Sequence, residues 1–135
     1  MEKQLINPPS LPPPRGFNHG ILVNGGRTLF MAGQDASGAD GKIVAPGDLV
    51  AQFEQVMRNL KAVAEAGGGA VTDIVKLTIF VASRQDYLGR LKDIGRVFRS
   101  YFGGYYPAMA LFEVGGFFQD DALVEIEGIA VIADK

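Results

Sequence analysis

The sequence contains no cysteine, no tryptophan and a single histidine, His19. Without thiols there is no disulfide, no thiolate nucleophile and no Cys-ligated metal. One histidine also excludes any site needing two imidazoles from the same chain. No apolar run approaches the roughly 18 residues of a membrane span, and before Gly16 the only large apolar residues after Met1 are Leu5, Ile6 and Leu11. Neither a membrane anchor nor a signal peptide is expected, which makes the cytoplasm the expected location. Basic excess is missing too, with 13 Lys+Arg against 15 Asp+Glu and a net charge of -2. Nothing here neutralises a phosphate backbone, so nucleic acid is not an expected partner. The serines, at 10, 37, 83 and 100, lie outside any Gly-x-Ser-x-Gly setting, and no P-loop or dinucleotide fingerprint occurs.

What remains is 135 residues, 47% hydrophobic, enough for one core and one domain over 1–135. Prolines 8, 9, 12, 13 and 14 make residues 1–16 an extended, proline-rich arm. Two β-prone runs, Gly20 to Asn24 and Thr28 to Ala32, flank Gly25-Gly26-Arg27 and read as a hairpin. Pro46-Gly47-Asp48 then opens a helix whose apolar stripe is Leu49, Phe53, Val56, Leu60 and Val63, with Gln52, Glu54, Arg58 and Lys61 on the polar side. It runs to about Ala66, where Gly67-Gly68-Gly69 stops it. A strand from Ile74 to Ala82 follows. Ser83 and Asp86 have capping-box spacing ahead of a second helix with the stripe Tyr87, Leu91, Ile94, Phe98 and Tyr101. Strands from Ala108 to Val114 and Ala122 to Ala133 close the chain.

The order ββαβαββ predicts an α+β fold, a mixed sheet with two helices on one face. On the last strand Leu123, Ile129 and Val131 accompany Glu125 and Glu127 on the face away from the helices. Left in water, such a face is larger than soluble monomers usually expose, so a homo-oligomer is expected.

Six landmarks in order now resemble one family. They are Phe17-Asn18-His19-Gly20, Phe30-Met31-Ala32-Gly33-Gln34, Glu65-Ala66-Gly67, Asp73-Ile74-Val75-Lys76, Pro107-Ala108 and Val124-Glu125-Ile126-Glu127-Gly128-Ile129-Ala130. Together they are similar to the RidA/YjgF family across about residues 7–132. The resemblance implies a chorismate-mutase-like fold, a homotrimer, small-molecule ligands in intersubunit clefts, and hydrolysis of imines and enamines with no cofactor and no metal. It places the cleft's first aromatic on Phe17, its tight turn on Gly33 and the water-positioning carboxylate on Glu125.

One family residue is missing. The arginine that follows Pro-Ala and grips a substrate carboxylate falls on Met109, the usual tyrosine is Phe17, and the loop Phe117 to Ala122 is about one residue longer. Hydrogen bonds to a charged group contribute about 1.5–3 kcal/mol each, and a thioether replaces none of them. The expectation is therefore a divergent hydrolase or deaminase whose substrate is not a standard 2-iminoacid; the alternative is a trimeric binding protein without catalysis. Glu125 and His19 are the candidate acid-base groups, and Phe17, Gly33, Gln34, Met109, Leu111 and Phe118 the candidate substrate contacts. Strand parity suggests that Met109, Leu111 and Glu113 share the face of Glu125 and Glu127, with Glu113 and Glu127 in a structural network. A calcium loop at 35–46 is rejected, because its glycine is displaced and Pro46 occupies the place of the bidentate Glu.

Overall fold

The computed structural model describes all residues 1–135 and contains six strands and three α-helices. They follow in the order β1 (Glu2–Ile6), β2 (Gly20–Asn24), β3 (Arg27–Gln34), α1 (Leu49–Ala66), β4 (Ile74–Val81), α2 (Arg84–Gly89), α3 (Leu91–Phe102), β5 (Ala108–Glu113) and β6 (Val124–Ile132), with a 3-10 turn at Val71–Asp73. A four-stranded sheet has the order β3-β6-β4-β5, and only β4 and β5 run parallel in it. The α+β class is as expected. The count is one strand and one helix higher than the sequence suggests.

Alternation builds the core. Leu77, Ile79 and Val81 of β4 and Val124, Ile126 and Ala130 of β6 are buried, as are Phe53, Val56, Met57 and Leu60 of α1 and Ile94 and Phe98 of α3. The helices thus cover one sheet face. Asp48 caps α1 by accepting from the Ala51 N–H at 3.0 Å, and the chain leaves that helix through Gly68 at φ 91°. A side chain resists that φ, so the glycine run does end the helix.

Three expectations need correction. First, the arm is not simply extended: Glu2–Ile6 forms a strand, antiparallel to β2 in a separate two-stranded ribbon. Second, β2 therefore makes no hairpin ladder with β3. Near its start Asn18 bridges Ala108 of β5, and beyond its end Gly26 packs on Val131 and Ile132 beside β3, at the opposite edge of the sheet. A strand tied to both edges crosses the end of the sheet and cannot lie alongside β3. Lys3 fastens the ribbon by donating to the Thr72 carbonyl at 2.9 Å and standing 4.6 Å from the centre of the Tyr105 ring. Third, the second helix is two, because Arg90 at φ -115°, ψ 17° interrupts it after Gly89. Ser83 does cap α2, accepting from the Asp86 N–H at 3.0 Å.

Gln52 also departs from expectation. Assigned to the polar side of α1, it is fully buried. Its amide donates to the Ala45 and Asp121 carbonyls at 3.2 and 3.0 Å and accepts from the Leu123 N–H at 2.8 Å. It fixes the approach to β6, and with it the position of Glu125. No helix is long and apolar enough to cross a membrane.

Candidate functional site

The candidate residues fall into two groups on opposite faces of the sheet. In the parallel pairing, Met109 stands beside Leu77, Leu111 beside Ile79 and Glu113 beside Val81, all on the helix-covered side. Glu125 pairs with Phe80, which pairs in turn with Phe112, on the other side. Met109, Leu111 and Glu113 therefore do not share the face of Glu125; Ala108, Ala110 and Phe112 do. Strand β5 is apolar on both faces, so its own sequence does not reveal its parity. Register with β4 decides it. Glu113 accepts from the Arg84 N–H at 2.9 Å and thereby caps α2.

The first group surrounds Met109. Asn18 holds the end of the arm against β5: its backbone N–H donates to the Pro107 carbonyl at 3.1 Å and its amide to the Tyr106 carbonyl at 2.6 Å. That attachment brings Phe17 beside β5. Phe17, Met109, Leu111, Ile79 and Tyr87 line a cleft of about 280 Å³. Gly16, Ile79, Tyr87 and Met109 also border a second cavity of about 470 Å³, which extends to Arg15, Arg99, Phe98 and Tyr106. Burial raises the Tyr87 hydroxyl pKa, so it stays a neutral donor. Tyr87, Arg15 and Arg99 were not among the expected contacts; the stripe on the second helix reads Tyr87 as plain core.

His19 belongs to the arm's scaffolding. Its ring meets Phe17 edge-on at 5.1 Å, and its Nε2 lies 2.8 Å from the Pro12 carbonyl. A carbonyl only accepts, so Nε2 carries the proton. The His19 N–H also donates to Asn7 Oδ1 at 2.8 Å.

The second group surrounds Glu125. Glu125 and Glu127 line a cavity of about 370 Å³ with Phe80, Val114, Phe117 and Phe118, the last wholly exposed. Gly33 lies against the Glu125 carboxylate; a Cβ there would come within 3.0 Å of its Cδ and closer still to Oε2. Gly33 has no positive φ, so its role is to leave space for the carboxylate and not to form a strained turn. Gln34 makes a local 3.4 Å contact with the Ala32 carbonyl. Asp35 Oδ1 accepts from the Ser37 N–H at 3.1 Å and from its hydroxyl, and the Asn59 amide donates to the Asp35 and Ser37 carbonyls at 3.0 and 2.9 Å. Asp35 thus secures the loop beside the carboxylate. Desolvation first, then Asp35 and then Glu127, raises the Glu125 pKa above the usual carboxylate range.

A half-buried, raised carboxyl can take a proton from water and return it to a leaving group. An apolar cleft beside Met109 and a cavity lined by two glutamates and aromatic residues define a class: a small α+β protein suited to binding of, or acid-base chemistry on, a small organic molecule. The relatives are more specific. Residues 10–132 match the family described as endoribonuclease L-PSP, and the chain belongs to this family, which is the RidA/YjgF family. It is 32% identical to a RutC family protein of Pyrococcus horikoshii over 95% of this chain and 97% of that one. It is 31% identical to a 2-iminobutanoate/2-iminopropanoate deaminase of Dermatophagoides farinae over 96% of this chain and 97% of that one. Among solved structures, the Rid family protein YyfB of Yersinia pestis superposes with a TM-score of 0.87 at 34% identity, over 98% of this chain and all of the other.

Proposed function

We propose that this protein is a cofactor-free imine or enamine hydrolase working in clefts between copies of itself in a homotrimer. The observation that carries this reading is the raised Glu125 carboxyl, fitted against Gly33 on a sheet face where Phe30, Phe112 and Phe118 are 77%, 53% and 100% exposed. A second copy covering that face would remove the carboxyl further from water and set it opposite the Phe17, Met109 and Leu111 cleft of a neighbour. The reaction needs no redox partner. Water adds to the imine carbon as Glu125 accepts its proton, the C–O bond forms and the nitrogen takes that proton; Glu125 then passes the carbinolamine hydroxyl proton to the same nitrogen as the C–N bond breaks, so ammonia leaves a carbonyl product.

Met109 argues against the standard 2-iminoacids, because nothing at that position grips an α-carboxylate. The same observation favours a second reading, a binding protein that keeps the cleft without the chemistry. RNA cleavage, which the family's description names, is disfavoured by the net charge of -2.

The test is to release imines in situ with an amino-acid or amine oxidase and to follow ammonia. Wild-type protein is expected to accelerate hydrolysis of imines lacking an α-carboxylate and to leave 2-iminobutanoate at the buffer rate. Glu125→Gln is expected to abolish the acceleration while remaining folded. Enzyme-like rates on 2-iminobutanoate would overturn the substrate assignment. Binding without turnover of any imine would favour the second reading.

A further inference from the structure

The larger cavity behind Met109 points to the kind of molecule bound. We infer that Arg15 and Arg99 form an anchor for a carboxylate or phosphate carried at the far end of an apolar body, away from the reacting carbon. This inference rests on the hydrolase reading only for the position of that carbon.

Arg15, at the end of the arm, and Arg99, on α3, border the same cavity of about 470 Å³ although they are far apart in sequence. Neither makes an ion pair or a side-chain hydrogen bond, whereas Arg58, Arg90 and Arg96 each pair with a carboxylate on their own helical segment and Arg27 donates to the Ala133 carbonyl; Arg84, whose side chain is also unpaired, does not line this cavity. No acidic residue lines the cavity. Two uncompensated guanidiniums on a largely apolar wall make a local positive potential that an anion would neutralise.

A plain helix-end role for Arg99 does not fit its geometry. In the last turn of α3 a cation can serve the free carbonyls, but Arg99 folds back one turn, its Nη1 3.0 Å from where a Cβ on Gly95 would stand. Gly95 leaves room for that conformation. Part of the cavity wall is aromatic: the Phe98 and Tyr106 rings stack 5.4 Å apart at 7°, and Tyr87 and Met109 also line the neighbouring cleft with Phe17. A cavity of this size that joins two arginines to an apolar and aromatic wall fits an amphiphilic anion such as an aryl or longer alkyl carboxylate or phosphate. The arrangement compensates for the missing arginine at position 109 while requiring a different spacing of charge in the ligand.

Calorimetric titration of the intact protein tests this with 4-phenylbutyrate and phenyl phosphate as anions with an apolar body, 4-phenylbutyramide as the neutral counterpart, and acetate and inorganic phosphate as anions without the body. At least one of the first two should bind, with the amide and the bare anions about tenfold weaker or worse. Arg15→Gln and Arg99→Gln should each weaken the preferred anion about tenfold with unchanged circular dichroism, and Arg99→Lys should retain part of the binding. Stronger binding of 4-phenylbutyrate or of phenyl phosphate identifies the headgroup. Equal binding of the amide, unaltered binding by both glutamine variants, or binding of neither aryl anion would overturn the inference. Charge-dependent binding with no imine turnover would sink the hydrolase reading alone, and turnover with charge-independent binding would sink only the anchor.

Discussion

The surroundings of Glu125 raise its pKa, and stability should record the cost. Its native carboxyl titrates above the ordinary value because of desolvation, Asp35 and Glu127, so folding favours the protonated form. That favourable contribution is complete below the unfolded carboxylate pKa and is lost as pH rises through the native one. Once ionised, the group therefore disfavours the fold. Glu125→Gln should melt higher than wild type near about pH 7.5, with the gap closing toward about pH 4, as scanning calorimetry across pH would show. A variant melting lower at neutral pH would mean that the carboxylate holds the structure together. The placement of Glu125 on a largely apolar strand face was visible in the sequence. The reason for Gly33 was not, because it depends on a neighbour 92 positions further along the chain.

Among the elements, α1 was legible because cap, stripe and stop all lie within it: Asp48 begins it, every third or fourth residue is buried, and Gly68 ends it. The break at Arg90 was not, since the Tyr87 to Tyr101 stripe passes through it without losing phase. Gln52 shows the limit of periodicity more sharply. Its partners are two loops and the N–H of Leu123, and only tertiary structure supplies them. Gln52→Ala strands those groups and should reduce stability by about 1–3 kcal/mol in urea unfolding. Because Asp121 and Leu123 lead into β6, turnover should fall as well, even though Gln52 touches no candidate cleft. A loss within about 0.5 kcal/mol would mean that water replaces the amide.

For the whole molecule, the uncovered sheet face is where the proposed assembly is tested. Phe30 and Phe112 are exposed there, and Ile129 lies between Phe30 and Lys76. Light scattering at micromolar concentration should return about three times the 14.4 kDa chain mass. Ile129→Asp places an unpaired charge in the seam and should yield monomer or unfolded chain. A stable wild-type monomer would remove both the trimer and the shared cleft. Sequence alternation on the last strand exposed this face, but the parallel register of β5, which puts Met109 on the opposite side, could be read only from the paired strands.

The β3–β6 pairing also has a consequence during synthesis. β3 finds its only ladder partner in the last strand, Arg27 opposite Ile132 and Phe30 opposite Ile129. At roughly 5–20 residues per second, about 5 to 20 s separate the appearance of the two strands at the ribosome. Throughout that interval the Arg27–Gln34 segment has both edges unpaired, and Phe30 and Met31 are available to any chaperone that reads extended apolar chain. The sheet is completed only after the last strand has emerged, so a nascent chain halted before residue 124 would hold α1 and β4 but no closed core.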